Sequence, residues 1–535
     1  MEGEVKLRKY HAPVWNEPVI MEMGREGERG ILIPQIEEEV RATVGSGDSH
    51  IPVEMRRKEL PRLPELSQPQ ILRHYERLSQ ETLGMEETID IGSGTCTMKY
   101  SPKINEMLAR TPQVTEIHPY QDEDTIQGIL KVVYEFDLIC REISGMDQFT
   151  FQPGGGAPAT YTNACVLRAY HAARGQLEQR DEVITTVFSH PCNAGTASTA
   201  GFKVITLMPD ENGYPDLEAL KAACSERTAG LMMTNPEDTG IYNPRVDEFV
   251  EAVHDVGGLC FIDQANLNGV LGITRARDAG FDACHFNLHK TFSSPHGSLG
   301  PACGAYGVRK ELAKFLPIPL VTFDGAKYHL RYDIPNSIGK VREFFGNIGV
   351  VLRAYAWTMS MGADGLLEVA RTSVINNNYL EKLLLTIPGV VKYYAEGKIR
   401  LDQIRYSWEK LRKDTGCGTM DVRDRMVDFG IQGHFTSHHP WIVPEPFTPE
   451  PCETYSKEDI DYWAAVLRQI SREAYSNPEI VETAPHNSTI HQADLHGLDD
   501  PQKWAMTWKA WLKKSSKEGG RREITLTGKK QSKYK

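Results

Sequence analysis

The sequence predicts an α/β protein built on a mostly parallel sheet, and three observations carry that reading. From residue 150 onward, short apolar runs alternate with helical patterns, the arrangement that lays parallel strands under helices on both faces. Residues able to do chemistry stand just after the ends of those runs, where ligands bind on sheets of this kind. A chain of 535 residues is also long enough for one large α/β unit with additions.

The totals exclude some classes of function. A formal net charge of −12 argues against a nucleic-acid partner, which calls for a basic surface. No run of about 18 apolar residues appears, so no membrane span is expected. The start, MEGEVKLRKYHAPVWNEPV, has no apolar core and is not read as a signal peptide. Ten cysteines stand singly with no CxxC pair, which predicts a reduced, cytoplasmic protein without a zinc site.

Residues 1–90 are rich in Glu, Arg and Pro and are expected to form an extended arm with one helix over 71–84. Helices follow at 102–109 and 123–145. The large domain, 91–344, continues with strands at 182–188 (EVITTVF), 203–208 (KVITLM), 230–234 (GLMMT), 259–263 (LCFID) and 283–286. Helices are expected from Asp216 to about Ser225 and at 246–256 (VDEFVEAVHDV). A smaller α+β domain, 345–510, opens with the helical segments VLRAYAWTMS and GLLEVARTSVINNNYLEKLLL and closes with a helix at 457–475. The basic stretch 511–535 has few apolar residues and reads as a disordered tail.

Two residues stand out against this frame. Strand 259–263 ends at Asp263, and Lys290, in NLHKTF, follows the next strand, with His289, His296 and several serines around it. A carboxylate and a lysine at neighbouring strand ends suit pyridoxal 5'-phosphate. The lysine amine condenses with the aldehyde as a Schiff base, and the acid holds the pyridine nitrogen protonated. Burial near cationic partners is expected to lower the lysine pKa.

The phosphate needs a cradle. Gly154–Gly156 open a helix running to about Ala173, with Pro158 in its first turn and Thr160 offering a hydroxyl. Unpaired amides and the helix dipole favour an anion there. His190, in SHPCN after strand 182–188, is placed to stack on the ring. Three histidines in GHFTSHHPW (433–441) lack a helical i, i+4 face or a cysteine partner, so no metal is expected. GSGTCTMKYSPK (92–103) lacks the GxxxxGK[ST] pattern of a P-loop.

Several long stretches resemble one family: CTMKYSPKINE (96–106), TNPEDTGIY (234–242), FIDQANLNGVLG (261–272) and NLHKTFSSPHG (287–297). SIGKVREFFGNIGVVLRAYAWTMSMGADGL (337–366) and IVPEPFTPEPCETYSK (442–457) extend the likeness, which runs from about 17 to 490. They are similar to the glycine cleavage system P-protein, the pyridoxal-phosphate glycine dehydrogenase (decarboxylating). The likeness is to its C-terminal half, made as a separate subunit 2 in many prokaryotes.

The resemblance implies a fold-type-I, aspartate-aminotransferase-like architecture. It assigns the Schiff base to Lys290, the pyridine partner to Asp263 and the stacking imidazole to His190. Lys290 and His190 are the expected catalytic residues. Gly155, Gly156, Ala157, Thr160, Ala265 and His289 are expected to join Lys290, Asp263 and His190 in holding the cofactor. The implied substrate is glycine, and the implied partners are a homologous subunit 1 and the lipoyl H-protein.

The chain departs from the family where substrate would sit. GAPAT replaces a GAHGE-like stretch, so Pro158 and Thr160 stand for a histidine and a glutamate. FSHPCNAGT replaces a SAHGTNPAS-like one, and SLGPACG a glycine cluster. A second expectation therefore stays open. A paralogous decarboxylase, lyase or aldolase-type enzyme would use the same cofactor on another amino acid, as a homodimer without the lipoyl partner.

Overall fold

The computed structural model describes residues 5–59, 63–84, 86–92, 96–97, 99–295, 301–433, 436–492 and 507. The basic stretch 511–535 and the glycines at 297 and 300 lie outside them. The chain divides into two compact units, Met1–Lys9 with Met85–Ala484, and Tyr10–Gly84 with Pro485–Lys535.

In the second unit the helix runs over Gln68–Gln80, three residues earlier at its start than the pattern suggested. The Gln70 side chain accepts from the Ser67 backbone N–H at 2.7 Å, and Pro69 sits in the first turn, so the start is fixed by a cap rather than by the first apolar residue. Buried His74 on this helix meets Glu17 at 2.9 Å, and Arg77 meets the same carboxylate at 2.7 Å, tying the extended chain to the helix.

The first unit carries a seven-stranded sheet. Its strands are β1 (Gln148–Thr150), β2 (Glu182–Thr186), β3 (Lys203–Leu207), β4 (Thr228–Thr234), β5 (Leu259–Asp263), β6 (Ala283–Asn287) and β7 (Gly304–Val308). Their order is β1-β7-β6-β5-β4-β2-β3. Strands β6, β5, β4, β2 and β3 are parallel, while β7 pairs antiparallel with both β6 and β1. Every residue of β5, β6 and β7 is buried, as expected of strands covered on both faces.

Strand β7 is unreadable from sequence because it is glycine-rich. A Cβ at Gly304 would stand 2.6 Å from the Gly155 carbonyl, and one at Gly307 would run into the Phe149 ring. Close backbone approach, not propensity, selects these residues. One core, with Phe136, Phe249, Phe286 and Trp357, lies on one face of the sheet, and another, with Leu167, Phe261 and Phe315, on the other.

The two helical segments expected after residue 345 are found within Ile348–Leu384, two helices meeting at a kink at Gly362, whose φ of 64° and ψ of −179° are non-helical. Without a Cβ, Gly362 takes this conformation readily and turns the chain between them. Beyond it, short strands β8 (Val391–Lys392), β9 (Tyr406–Ser407) and β10 (Pro446–Phe447) make a small antiparallel sheet. It packs around buried Trp408 and Trp463 with the helix Lys457–Ser476, which Ser456 caps.

Candidate active site

The site forms where β5 and β6 end side by side, with Asp263 in register with His285. Lys290 lies three residues beyond β6 in a tight turn, its N–H donating to the Asn287 carbonyl at 3.1 Å and its own carbonyl accepting from Ser293 at 3.2 Å. Only 5% of the lysine is exposed. Burial pushes the amine down, but Cys96, Glu450, Asp263 and Cys192 act the other way and hold it above the ordinary lysine value. The lowered value expected from sequence is thus overturned, because the chain surrounds Lys290 with acidic groups rather than cations.

Asp263 is buried and fully engaged. One oxygen accepts from the Asn193 amide at 2.9 Å, the other from the Ala265 N–H at 3.0 Å, and His285 lies 3.5 Å away. Burial opposes its ionisation, yet His285, His190, Ala265 and Asn193 outweigh that and hold the carboxyl below its ordinary value. It is an anion at neutral pH. His285 stacks on Phe261 with rings 5.6 Å apart, so the histidine that interrupts the apolar run serves the neighbouring carboxylate.

His190 follows β2 and opens the helix Cys192–Thr199. Its Nδ1 accepts from the Cys192 N–H at 3.1 Å, which leaves the proton of the neutral ring on Nε2. Burial, and then Lys290, push the imidazole down to about 4, so the ring is uncharged at neutral pH. His438, from the HHPW stretch, meets it edge-on with ring centroids 4.8 Å apart.

The glycine stretch stands at the same edge. Gly155, with φ at 153°, caps the helix Gly156–Ala173. A Cβ at Gly154 would run into the Arg342 guanidinium, and one at Gly156 would stand 2.8 Å from the Asn287 amide. Ala157 and Thr160 lie in the first turns of this helix, and Thr160 is buried, its hydroxyl donating to the Ala157 carbonyl at 3.0 Å and accepting from Thr196 at 3.2 Å. Ala265 links the strand ends, since its carbonyl accepts from the Asn287 N–H at 3.2 Å. His289 is buried beside Lys290. The structure therefore brings together the strand-end, glycine-loop and imidazole residues that the sequence singled out.

Sequence reasoning missed a ring of buried charges. Glu237 and Asp238 follow β4, Asp402 and Arg405 lead into β9, and Glu450 follows β10. Burial, with Asp238 beside it, pushes Glu237 up to about 8. Asp238 goes the other way, to about 2; burial resists, but the Arg405 guanidinium at 2.5 Å prevails. Asp402 is pushed up to about 6, chiefly by burial, and Glu450 is pushed well above the carboxylate range by burial and then by Asp402.

A further grouping, His254, Cys260 and Asp282, has its donor atoms within 4.8 Å of one another. There the Asp282 carboxylate already takes His254 at 2.9 Å, the Cys260 N–H at 2.6 Å and the Arg309 guanidinium. It is a closed knot rather than an open cation site.

Chemically, the arrangement offers a buried amine, a buried carboxylate held as an anion, a neutral imidazole and a helix start whose backbone is open to an anion. Buried polar atoms without hydrogen-bond partners among the described residues, Asn287 Oδ1 and Asn193 Oδ1, lie in the same region. These features fit a planar phosphorylated aldehyde with a ring nitrogen.

Comparison with known proteins agrees with this geometry. Residues 157–320 match the family model described as Aminotransferase class-V. A probable glycine dehydrogenase (decarboxylating) subunit 2 of Pyrococcus abyssi is 44% identical over 513 residues, covering 96% of this chain and 99% of the relative. The protein of the same description from Staphylococcus aureus is 41% identical, covering 90% and 95%. Among solved structures, a glycine decarboxylase (P-protein) of the glycine cleavage system in inhibitor-bound form superposes with a TM-score of 0.68 at 20% identity, over 82% of this chain and 99% of that one. A sphingosine-1-phosphate lyase of Burkholderia pseudomallei gives 0.59 at 13% identity, over 79% and 94%.

Proposed function

The chain belongs to the family of glycine dehydrogenase (decarboxylating) subunit 2, and from that premise we propose how its residues carry out the reaction. It is a pyridoxal-phosphate enzyme of the glycine cleavage type. The cofactor, when bound, supplies an aldehyde that condenses with an amine and a protonated ring that draws off the electron pair left when a carboxylate departs as CO2.

Lys290 provides the amine that anchors the cofactor, and burial keeps competing water from it. Asp263, ionised and hydrogen-bonded on both oxygens, keeps the ring nitrogen protonated. A neutral His190 would pack against the ring without opposing that charge. The backbone of Gly155, Gly156 and Ala157 with the Thr160 hydroxyl would take the phosphate, and Ala265 and His289 would complete the walls. The single observation that carries this reading is that Asp263, at the end of β5, and Lys290, just beyond the adjacent β6, are both buried.

We further propose glycine as the substrate, and a homologous subunit 1 and a lipoyl H-protein as partners. Relatives at 41–45% identity bear the subunit 2 description, which favours this over the paralogue acting on another amino acid. All ten cysteines are free thiols, which supports a reducing, cytoplasmic setting, and among the described residues no helix is long and apolar enough to cross a membrane.

The test is exchange of the glycine carboxyl carbon with labelled bicarbonate, with H-protein and a cognate subunit 1 present. Robust exchange is expected. No exchange, with a spectral change on adding a different amino acid, would replace glycine and revive the paralogue.

A further inference from the structure

Arg405 is 1% exposed, and its Nη2 donates to the Asp238 carboxylate at 2.5 Å. Nε and Nη1, which carry one and two N–H groups, are buried and have no acceptor among the described residues. Donors of a charged group left unpaired in an interior are costly. A folded chain keeps them where something else comes to accept from them.

What comes is set by where the guanidinium stands. Strands β6, β5, β4 and β2 are neighbours in the sheet and run parallel. Their carboxyl ends therefore share one edge, where ligands of such sheets bind. Lys290 follows β6, Asp263 ends β5, Asp238 follows β4 and His190 follows β2.

Arg405 reaches that edge from the chain leading into β9. The Leu401 N–H donates to the Gly240 carbonyl at 2.9 Å, and the Gln403 amide to the Glu237 carbonyl at 3.2 Å. Arg405 Cζ lies 5.3 Å from the centre of the Phe188 ring, two residues before His190. The Phe188 carbonyl accepts from the Asp238 N–H at 3.2 Å. His438 completes the link, with Nδ1 3.6 Å from Asp238 and its ring edge-on to His190.

Other cations fit an incoming anion less well. Lys99 is spent on Glu453 at 2.7 Å and Asn268 at 3.2 Å. Arg400 donates to the Thr239 carbonyl at 2.6 Å. Arg342 lies against Gly154, at the phosphate end of the site. Glu237, beside Asp238, keeps its proton because it is buried, so it adds no repelling charge.

We propose that Arg405 is a substrate-binding residue whose Nε and Nη1 donors take the carboxylate of the amino-acid substrate, while Asp238 holds Nη2 and fixes the plane of the guanidinium. Asp238 already balances the arginine charge. The substrate carboxylate is therefore oriented by charge-assisted hydrogen bonds rather than by an uncompensated cation.

The test compares glycine with methylamine, which has an amine but no carboxylate. Each is titrated into pyridoxal-phosphate-loaded protein and followed by absorbance, with apo melting temperatures alongside. In Arg405→Gln, glycine affinity should fall roughly tenfold to a hundredfold while methylamine affinity stays within about twofold of wild type. Arg405→Lys keeps a positive charge for Asp238 but loses the planar donors, and should fall between. If Arg405→Gln does not fold, because it strands a buried carboxylate, the double variant Arg405→Gln, Asp238→Asn removes both charges and carries the test, with the same expected loss for glycine alone. Equal losses for both ligands, or no loss for either, would overturn the role and leave Arg405 a structural partner of Asp238.

This rests on the cofactor reading above, and the two fail separately. If wild-type protein takes up no pyridoxal phosphate, that reading falls and this inference with it. If it loads but does not respond to glycine, glycine is lost as substrate, and the comparison passes to the amino acid that does bind and the amine lacking its carboxylate. If it loads and binds glycine but the variants match it, only this inference falls.

Discussion

Replacing Asp263 with asparagine keeps size and shape while removing the charge on which the site is built. In the native site one oxygen takes the Asn193 amide at 2.9 Å and the other the Ala265 N–H at 3.0 Å. An asparagine can satisfy only one of these with its carbonyl, and its own amide then points a donor at a donor. A hydrogen bond to a charged group contributes about 1.5–3 kcal/mol, so losing the anion should weaken the hold on a protonated ring nitrogen roughly tenfold to a hundredfold. The same substitution removes a negative charge that raises the proton affinity of both His285 and His190, so both imidazoles should become still harder to protonate. The assay compares glycine–bicarbonate exchange, pyridoxal phosphate affinity and apo melting temperature in wild type and Asp263→Asn. The expected outcome is exchange down by well over tenfold with a folded apo protein. Exchange within twofold of wild type would refute the reasoning.

Three further outcomes follow from the same geometry. His190, held at about 4 by burial and Lys290, is neutral when folded but protonates near its ordinary 6.5 when unfolded; its contribution is full above pH 6.5 and is lost as pH falls toward 4, so His190→Gln should flatten acid destabilisation in that window in melting experiments. Glu237, pushed up to about 8 by burial, costs stability as pH rises from 4.5, where the unfolded chain ionises, to 8. Glu237→Gln should therefore match wild type near pH 4.5 and melt a few degrees higher near pH 8.5, and equal melting at both would contradict the shift. A Cβ at Gly155 meets only Ala302, at 3.7 Å, but a φ of 153° strains any side chain there, so Gly155→Val should lower the stability of both forms and, beyond that, weaken pyridoxal phosphate binding. Equal loss of stability in both forms with unchanged affinity would make the glycine a turn residue alone.

Asp263 and Lys290 were legible because one ends a buried strand and the other follows the next by three residues, where periodicity gives the boundary and topology gives the edge. His285 was visible only as a blemish in an apolar run, since nothing local says that its ring turns toward the next strand. Glu450, Asp402, Arg405 and His438 were not legible as part of the site, because they lie more than a hundred residues beyond Lys290 and only tertiary folding brings them to the groups they meet there. The direction of the Lys290 shift failed for that reason: the groups that decide it include Glu450 and Cys96, neither of which is local. Helix Cys192–Thr199 was hidden by its small residues, which pack it against Gly156–Ala173. Strand β7 was hidden by glycines chosen for close approach to Gly155 and Phe149.

The central claim is that the buried amine of Lys290 holds the cofactor. Purified protein loaded with pyridoxal 5'-phosphate should be yellow, and borohydride reduction followed by peptide mapping should place the fixed adduct on one peptide, the one containing residue 290. Lys290→Ala should abolish both the colour and the trapped peptide while leaving the chain folded. An adduct on any other lysine, or full retention of the trapped label in Lys290→Ala, would contradict the account.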